Sequence, residues 1–170
     1  LAVLSMPHLL GCGPKSSTPA AGPKTLVAGL PNGLSLTALT GVNVIPMTVN
    51  GSSCRAGSYV NKPCVSLTVC TPGTSTCQVI NDILVDTGSY GLRIFNSVLT
   101  TAVPTQITAG GQSLAACARF GDGSSLWGPV KLADVVMGGE AAVQIPIQAV
   151  DSTFGTVPAG CGTPSTNPTN

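Results

Sequence analysis

Ile83-Leu84-Val85-Asp86-Thr87-Gly88-Ser89 runs three apolar residues straight into an acid and then into a turn. Ile, Leu and Val in succession suit a buried strand, and Thr-Gly-Ser cannot continue it, so the acid is expected at the mouth of that strand. Such a turn aims backbone N–H groups and two hydroxyls at the carboxylate. Hydrogen bonds to the ionised form lower its pKa, whereas a second carboxylate close by raises one of the pair. Asp also caps turns through its own backbone, and a lone Asp-Thr-Gly fits that plainer reading.

Outward from this stretch the chain repeats one pattern, short runs rich in Val, Ile, Thr and Leu separated by Gly, Pro, Ser and Asn. The runs at 42–49, 65–70, 78–85, 92–95, 115–120, 130–137 and 143–150 read as strands. No window carries a 3.6-residue period, and only residues 96–101 suggest a short helix. The fold class expected is all-β, with one β lobe over residues 41–157 and a Pro/Thr/Gly-rich loop or cut end over 158–170.

Composition narrows the function. In 170 residues there are 7 Lys+Arg and 6 Asp+Glu, a net charge of +1, with 43% hydrophobic residues. That apolar content excludes a disordered chain, and the lack of a basic stripe argues against nucleic acid as a partner. The single histidine is His8, inside a segment expected to be removed, so Ser-His-Asp and Cys-His catalysis and a histidine-held zinc lack their imidazole. Carboxylates, hydroxyls and thiols are left.

Residues 1–12 read LAVLSMPHLLGC, uncharged and apolar up to the cysteine. The run is too short for a membrane-spanning helix and has the length of a signal-peptide core. Leu9-Leu10-Gly11-Cys12 is similar to the lipobox of bacterial lipoproteins, which implies lipidation of Cys12 and, with Gly13 following, an outer-membrane or periplasmic address. A buried strand with a structural cysteine is the alternative. Residues 13–40 open with GPKSSTPAAGPK and read as a flexible tether.

Six further cysteines, Cys54, Cys64, Cys70, Cys77, Cys117 and Cys161, point to an oxidising compartment. Cys70 and Cys77 flank the turn TPGTST between two β runs and face each other across a hairpin. Cys54 with Cys64 would close a local loop, leaving Cys117 with Cys161, though spacing alone does not secure these two pairs. No C-x-x-C spacing suggests a metal.

The stretch around Asp86 resembles the active-site motif of pepsin-like aspartic peptidases, and its surroundings extend the likeness. Thr71-Pro72-Gly73 between two strands is similar to the hairpin that precedes the motif. Phe120-Gly121-Asp122-Gly123-Ser124, then Gly128, Asp134, Val135 and Gly138-Gly139, resemble the flap hairpin and the strand after it. With the lipobox, the whole chain looks similar to an uncharacterised group of bacterial lipoproteins that carry a domain of unknown function with these motifs. The resemblance implies the N-terminal lobe of an aspartic endopeptidase, truncated at both ends, acting on an extended peptide without metal or cofactor. Asp86 would be one of two carboxylates sharing a proton, with Thr87 bracing the two turns, Gly88 allowing their approach and Ser89 hydrogen-bonding the acid. Phe120, Gly121, Asp122, Gly123 and Ser124 would close over the substrate. The chain departs from the pattern at Phe120, where the family has Tyr, and at Arg93, where it has Trp. It also has a single Asp-Thr-Gly, so the second Asp must come from a further lobe or a homodimer mate. A peptide- or glycan-binding β-domain without catalysis, and a surface-anchored structural domain, are the competing functions.

Overall fold

The computed structural model describes residues 40–49 and 62–166, together with the backbone of residues 2–5. Among the described residues there are eight strands, β1 (Ala2–Ser5), β2 (Thr48–Val49), β3 (Pro63–Cys70), β4 (Cys77–Val85), β5 (Gly91–Phe95), β6 (Ala115–Arg119), β7 (Ser125–Val136) and β8 (Val143–Val150). Only two 3₁₀ turns, Asn96–Val98 and Ala159–Cys161, interrupt the β structure among the described residues. The all-β expectation holds. The architecture is a curled mixed sheet rather than a regular closed barrel, ordered β2-β3-β4-β1-β5-β8-β7-β6 with β3 also paired to β7.

The β3–β4 hairpin carries most of the core. Val65, Leu67 and Val69 alternate inward from β3 in the period-2 manner. On β4 both Ile80 and Ile83 are buried, although residues three apart on a regular strand face opposite ways. The register explains it. Val65 pairs with Ile83 and Leu67 with Ile80, so β4 carries one extra residue. Asp82 adopts a left-handed φ of 60° at this bulge, and Ser66 Oγ donates to Asn81 Oδ1 beside it. The bulge resets the phase and returns Ile83 to the core, three residues before Asp86. Ile94, Ala133 and Ile147 complete the same cluster from β5, β7 and β8.

Strand β7 serves three neighbours, the third being β3 at its C-terminal end, where Thr68, Val69 and Cys70 pair with Val136, Val135 and Asp134. Its first five residues pair with β6, forming the hairpin tipped by residues 120–124, and Val130 onward pairs with β8. The apolar run expected as a strand starts at Val130, whereas β7 starts five residues earlier, at Ser125. The strand runs through Gly128 and Pro129. Gly128, with φ 157°, lies so close to β8 that an added Cβ would overlap the Ala149 carbonyl oxygen. The same close approach explains Gly138, at φ 61°, where a Cβ would stand 2.5 Å from the Val44 carbonyl oxygen.

Two expected disulfides are present. Cys70–Cys77 spans the hairpin directly across from its own pair in the ladder. Cys117–Cys161 ties β6 to the 3₁₀ turn near the C-terminal end of the described region. Cys64 is also disulfide-bonded, whereas Cys54, Cys12 and the tether up to residue 39 lie outside the described residues.

The backbone of Ala2–Ser5 enters the sheet between β4 and β5. It runs parallel to β4, with Leu4 opposite Val85, and antiparallel to β5, with Leu4 opposite Leu92. The apolar run read as a leader thus also has a place as a strand, the alternative noted for it above.

Candidate functional site around Asp86

Asp86 follows the last residue of β4, and residues 86–90 turn the chain back into β5. The turn forms because Asp86 replaces the strand's missing partners with its own side chain, the Gly88 N–H donating to Asp86 Oδ1 at 2.8 Å. This geometry is not peculiar to the site. Asp122 accepts from the Ser124 N–H at 2.8 Å and from Ser124 Oγ at 2.6 Å, and Asp151 from the Thr153 N–H at 3.0 Å and Thr153 Oγ1 at 2.6 Å. All three acids cap turns.

What separates Asp86 is its surroundings. It is half-buried, Ser89 behind it is half-buried, and Arg93 projects from β5 on the far side of the turn. The Ser89 hydroxyl and then the Gly88 N–H hold the Asp86 carboxyl below the ordinary aspartate value, with a smaller contribution from the Arg93 charge against the opposing effect of burial. Ser89 Oγ lies near enough to exert that pull without completing a hydrogen bond in good geometry. Arg93 Nε and Nη1 are likewise buried and unpartnered among the described residues. Each such group costs about 1–3 kcal/mol, and two residues carrying them flank this one turn.

Phe120 brings the second motif to the same place. Its ring lies 5.9 Å from Arg93 Cζ, a cation–π distance, and its body packs on Phe95, Leu126 and Val150. Arg93 therefore stands between the Asp86 turn and the root of the β6–β7 hairpin. The tip of that hairpin is exposed: Gly121, Asp122, Gly123 and Ser124 face solvent, and Asp122 is occupied by its own turn. The turn closes through the Phe120 N–H to the Ser124 carbonyl and the Gly123 N–H to the Phe120 carbonyl. Thr87 and Gly88 are exposed at the other edge.

Other acids serve the scaffold. Asp134 accepts from the Gly73 N–H at 2.7 Å and from Gln144, fixing the disulfide-bridged turn. The forces on Asp86 come from Ser89, Gly88, burial and Arg93, with no second carboxylate among them. Among the described residues no three His, Cys, Asp or Glu side chains gather as a metal would require.

Sequence reading passed over Gln148. It is buried in β8, and its Nε2 donates to the Ala116 carbonyl at 2.7 Å and the Leu126 carbonyl at 3.2 Å, one on each arm of the hairpin. Trp127 Nε1 donates to the Phe154 carbonyl and locks the same hairpin from outside. A Gln within the apolar run of β8 was the available signal for this role.

Fold and site together define an all-β lobe that presents the Asp86 turn beside a β-hairpin. The chain belongs to the family described as "Protein of unknown function (DUF3443)", whose model matches residues 40–170. No curated protein and no solved structure matches it.

Proposed function

We propose that this lobe supplies one carboxylate, Asp86, to a two-Asp endopeptidase site, the second carboxylate coming from a further lobe or a second copy of the chain. The reading is carried by one observation. An acid held ionised sits at a strand end with the unpartnered Ser89 and Arg93 groups on either side of it, next to a hairpin root. Buried polar groups without partners collect where a ligand or a facing surface completes them. In that site Asp86 would act as the base on a water, while the second Asp, which has to hold the shared proton, donates it to the scissile carbonyl. The backbone of residues 121–123 would close on an extended peptide strand. Alone, a single carboxylate cannot divide the roles of acid and base. The lipobox ending in Cys12 supports an exported lobe tethered by lipid to the outer membrane, and the disulfides agree with an oxidising compartment.

The second reading is a module that binds peptide or glycan without cleaving it. Arg93 favours it, because a cation beside Asp86 opposes uptake of the proton that a dyad must share.

Full-length protein incubated at acidic pH with quenched fluorescent peptides separates the two. Asp86→Asn is expected to lower cleavage by about 10²–10⁴-fold, and Asp122→Asn, an exposed turn acid, to leave it near wild type. Cleavage undiminished in Asp86→Asn refutes the peptidase reading. Saturable binding with no turnover in wild type favours the module.

A further inference from the structure

Strands β4 and β5 are joined by the turn at 86–90 yet do not pair with each other; a third strand, β1, lies between them and pairs with both. Two strand spacings, about 9.6 Å, therefore separate β4 from β5. The strand in the gap is short, uncharged and far from its neighbours in sequence. Ala2, Val3 and Leu4 lie opposite Ile83, Leu84 and Val85, and Val3, Leu4 and Ser5 opposite Arg93, Leu92 and Gly91. It is the direct link between β4 and β5; the other route of pairing between them runs the long way round through β3, β7 and β8. Without β1 the inner edges of both strands would present unpaired N–H and C=O groups in the middle of the sheet, the arrangement that recruits another strand.

The same four residues stand upstream of Leu9-Leu10-Gly11-Cys12. A cut before Cys12 would sever the strand from the rest of the chain and leave it held by the ladders alone. We propose that the gap between β4 and β5 is a strand-acceptor slot, a binding site for a short, uncharged, extended peptide of the Ala2–Ser5 kind, whose occupant is exchangeable once that connection is cut. Orientation is specified, since the occupant must run parallel to β4 and antiparallel to β5. The slot also bears on Asp86. The pairs Leu4–Val85 and Ser5–Gly91 are the last rungs before the 86–90 turn, so the occupant sets the separation of the two strands that carry Asp86 and Arg93. The inference rests on the ladders and stands whether or not the lobe cleaves peptides.

The test uses the full chain with a site-specific protease sequence placed between Cys12 and Lys24, cut after folding. A fluorescent peptide with the sequence of residues 1–6 is then added, and anisotropy and amide hydrogen exchange are followed. The cut protein should bind the peptide saturably at one per chain, and the uncut protein should not. Exchange at residues 83–85 and 91–93 should be about tenfold or more slower with the slot filled, by its own strand or by the peptide, than after the severed strand has been washed out. A peptide with Pro in place of Val3 and Leu4, lacking two N–H donors, should fail to bind. The proposal is overturned if the cut protein takes up no peptide, or if the Pro peptide binds as well. It is also overturned if exchange at 83–85 and 91–93 is the same with and without an occupant.

Discussion

Gly128→Ala tests the account of how the hairpin beside Asp86 is held. A Cβ at this position would overlap the Ala149 carbonyl oxygen and stand 2.7 Å from the Asp151 nitrogen and 3.0 Å from the Ala149 carbonyl carbon. All three are backbone atoms, so no side chain can swing away, and β7 must part from the end of β8. Overpacking of this kind costs about 1–3 kcal/mol. The Asp151 N–H donates to the Trp127 carbonyl at 2.7 Å across the same junction, and its loss adds about 1 kcal/mol. The sum, about 2–4 kcal/mol, corresponds to a fall in Tm of roughly 10 °C for a domain of this size. Gly123→Ala is the control: φ is 87° there, but nothing lies within 4 Å of an added Cβ, so only the backbone term of about 1–2 kcal/mol applies. Thermal unfolding followed by far-UV circular dichroism, without reductant, gives both values. The reasoning fails if Gly128→Ala melts within about 2 °C of wild type. It fails equally if Gly123→Ala loses as much.

The disulfides should differ in worth. Cys117–Cys161 closes a separation of 44 residues and Cys70–Cys77 one of 7, so loop entropy gives about 4 and about 2.4 kcal/mol, and paired Ser replacements compared by urea denaturation should rank in that order. Asp86 should titrate below an ordinary aspartate, and Ser89→Ala should raise its midpoint, read by NMR of the side-chain carboxyl. Because the folded value is depressed, the stability it contributes is present above the unfolded aspartate pKa and is lost as pH falls through the folded one; an unshifted midpoint in both proteins would contradict the assigned role of Ser89. Trp127→Phe should cost about 1–3 kcal/mol, chiefly because the Phe154 carbonyl loses its donor, and an unchanged denaturation midpoint would reject that bond as a lock on the hairpin.

Much of the lobe was legible because β structure here follows local rules. Strands β3, β4, β5, β6 and β8 begin and end within about two residues of the apolar runs, since Gly, Pro and Asn punctuate them and side chains alternate between core and solvent. The Cys70–Cys77 bridge followed from a turn between two such runs. The Asp86 turn was visible as well, because an acid followed by Thr-Gly-Ser ends a strand by its own hydrogen bonds.

Sequence by itself thus determined most of the strands, the turn between Cys70 and Cys77 and the residue types at the Asp86 site, all of which depend on neighbours a few positions apart. The run at 42–49, by contrast, forms a strand only at Thr48–Val49. Tertiary structure alone decided what depends on distant segments. The bulge at Asp82 returns Ile83 to the core only through its pairing with β3. The passage of β7 through Gly128-Pro129 is set by the close approach of β8. Hydropathy leaves Ala2–Ser5 readable as a leader or as a strand, and only the fold supplies the edges of β4 and β5 with which its backbone pairs. Arg93 reads locally as one polar position in a strand, yet the curl of the sheet stands it between Asp86 and Phe120, residues 34 positions apart in the chain. Contacts of that span are fixed by how the whole sheet closes its hydrogen bonds and buries its core, which no local window of sequence contains.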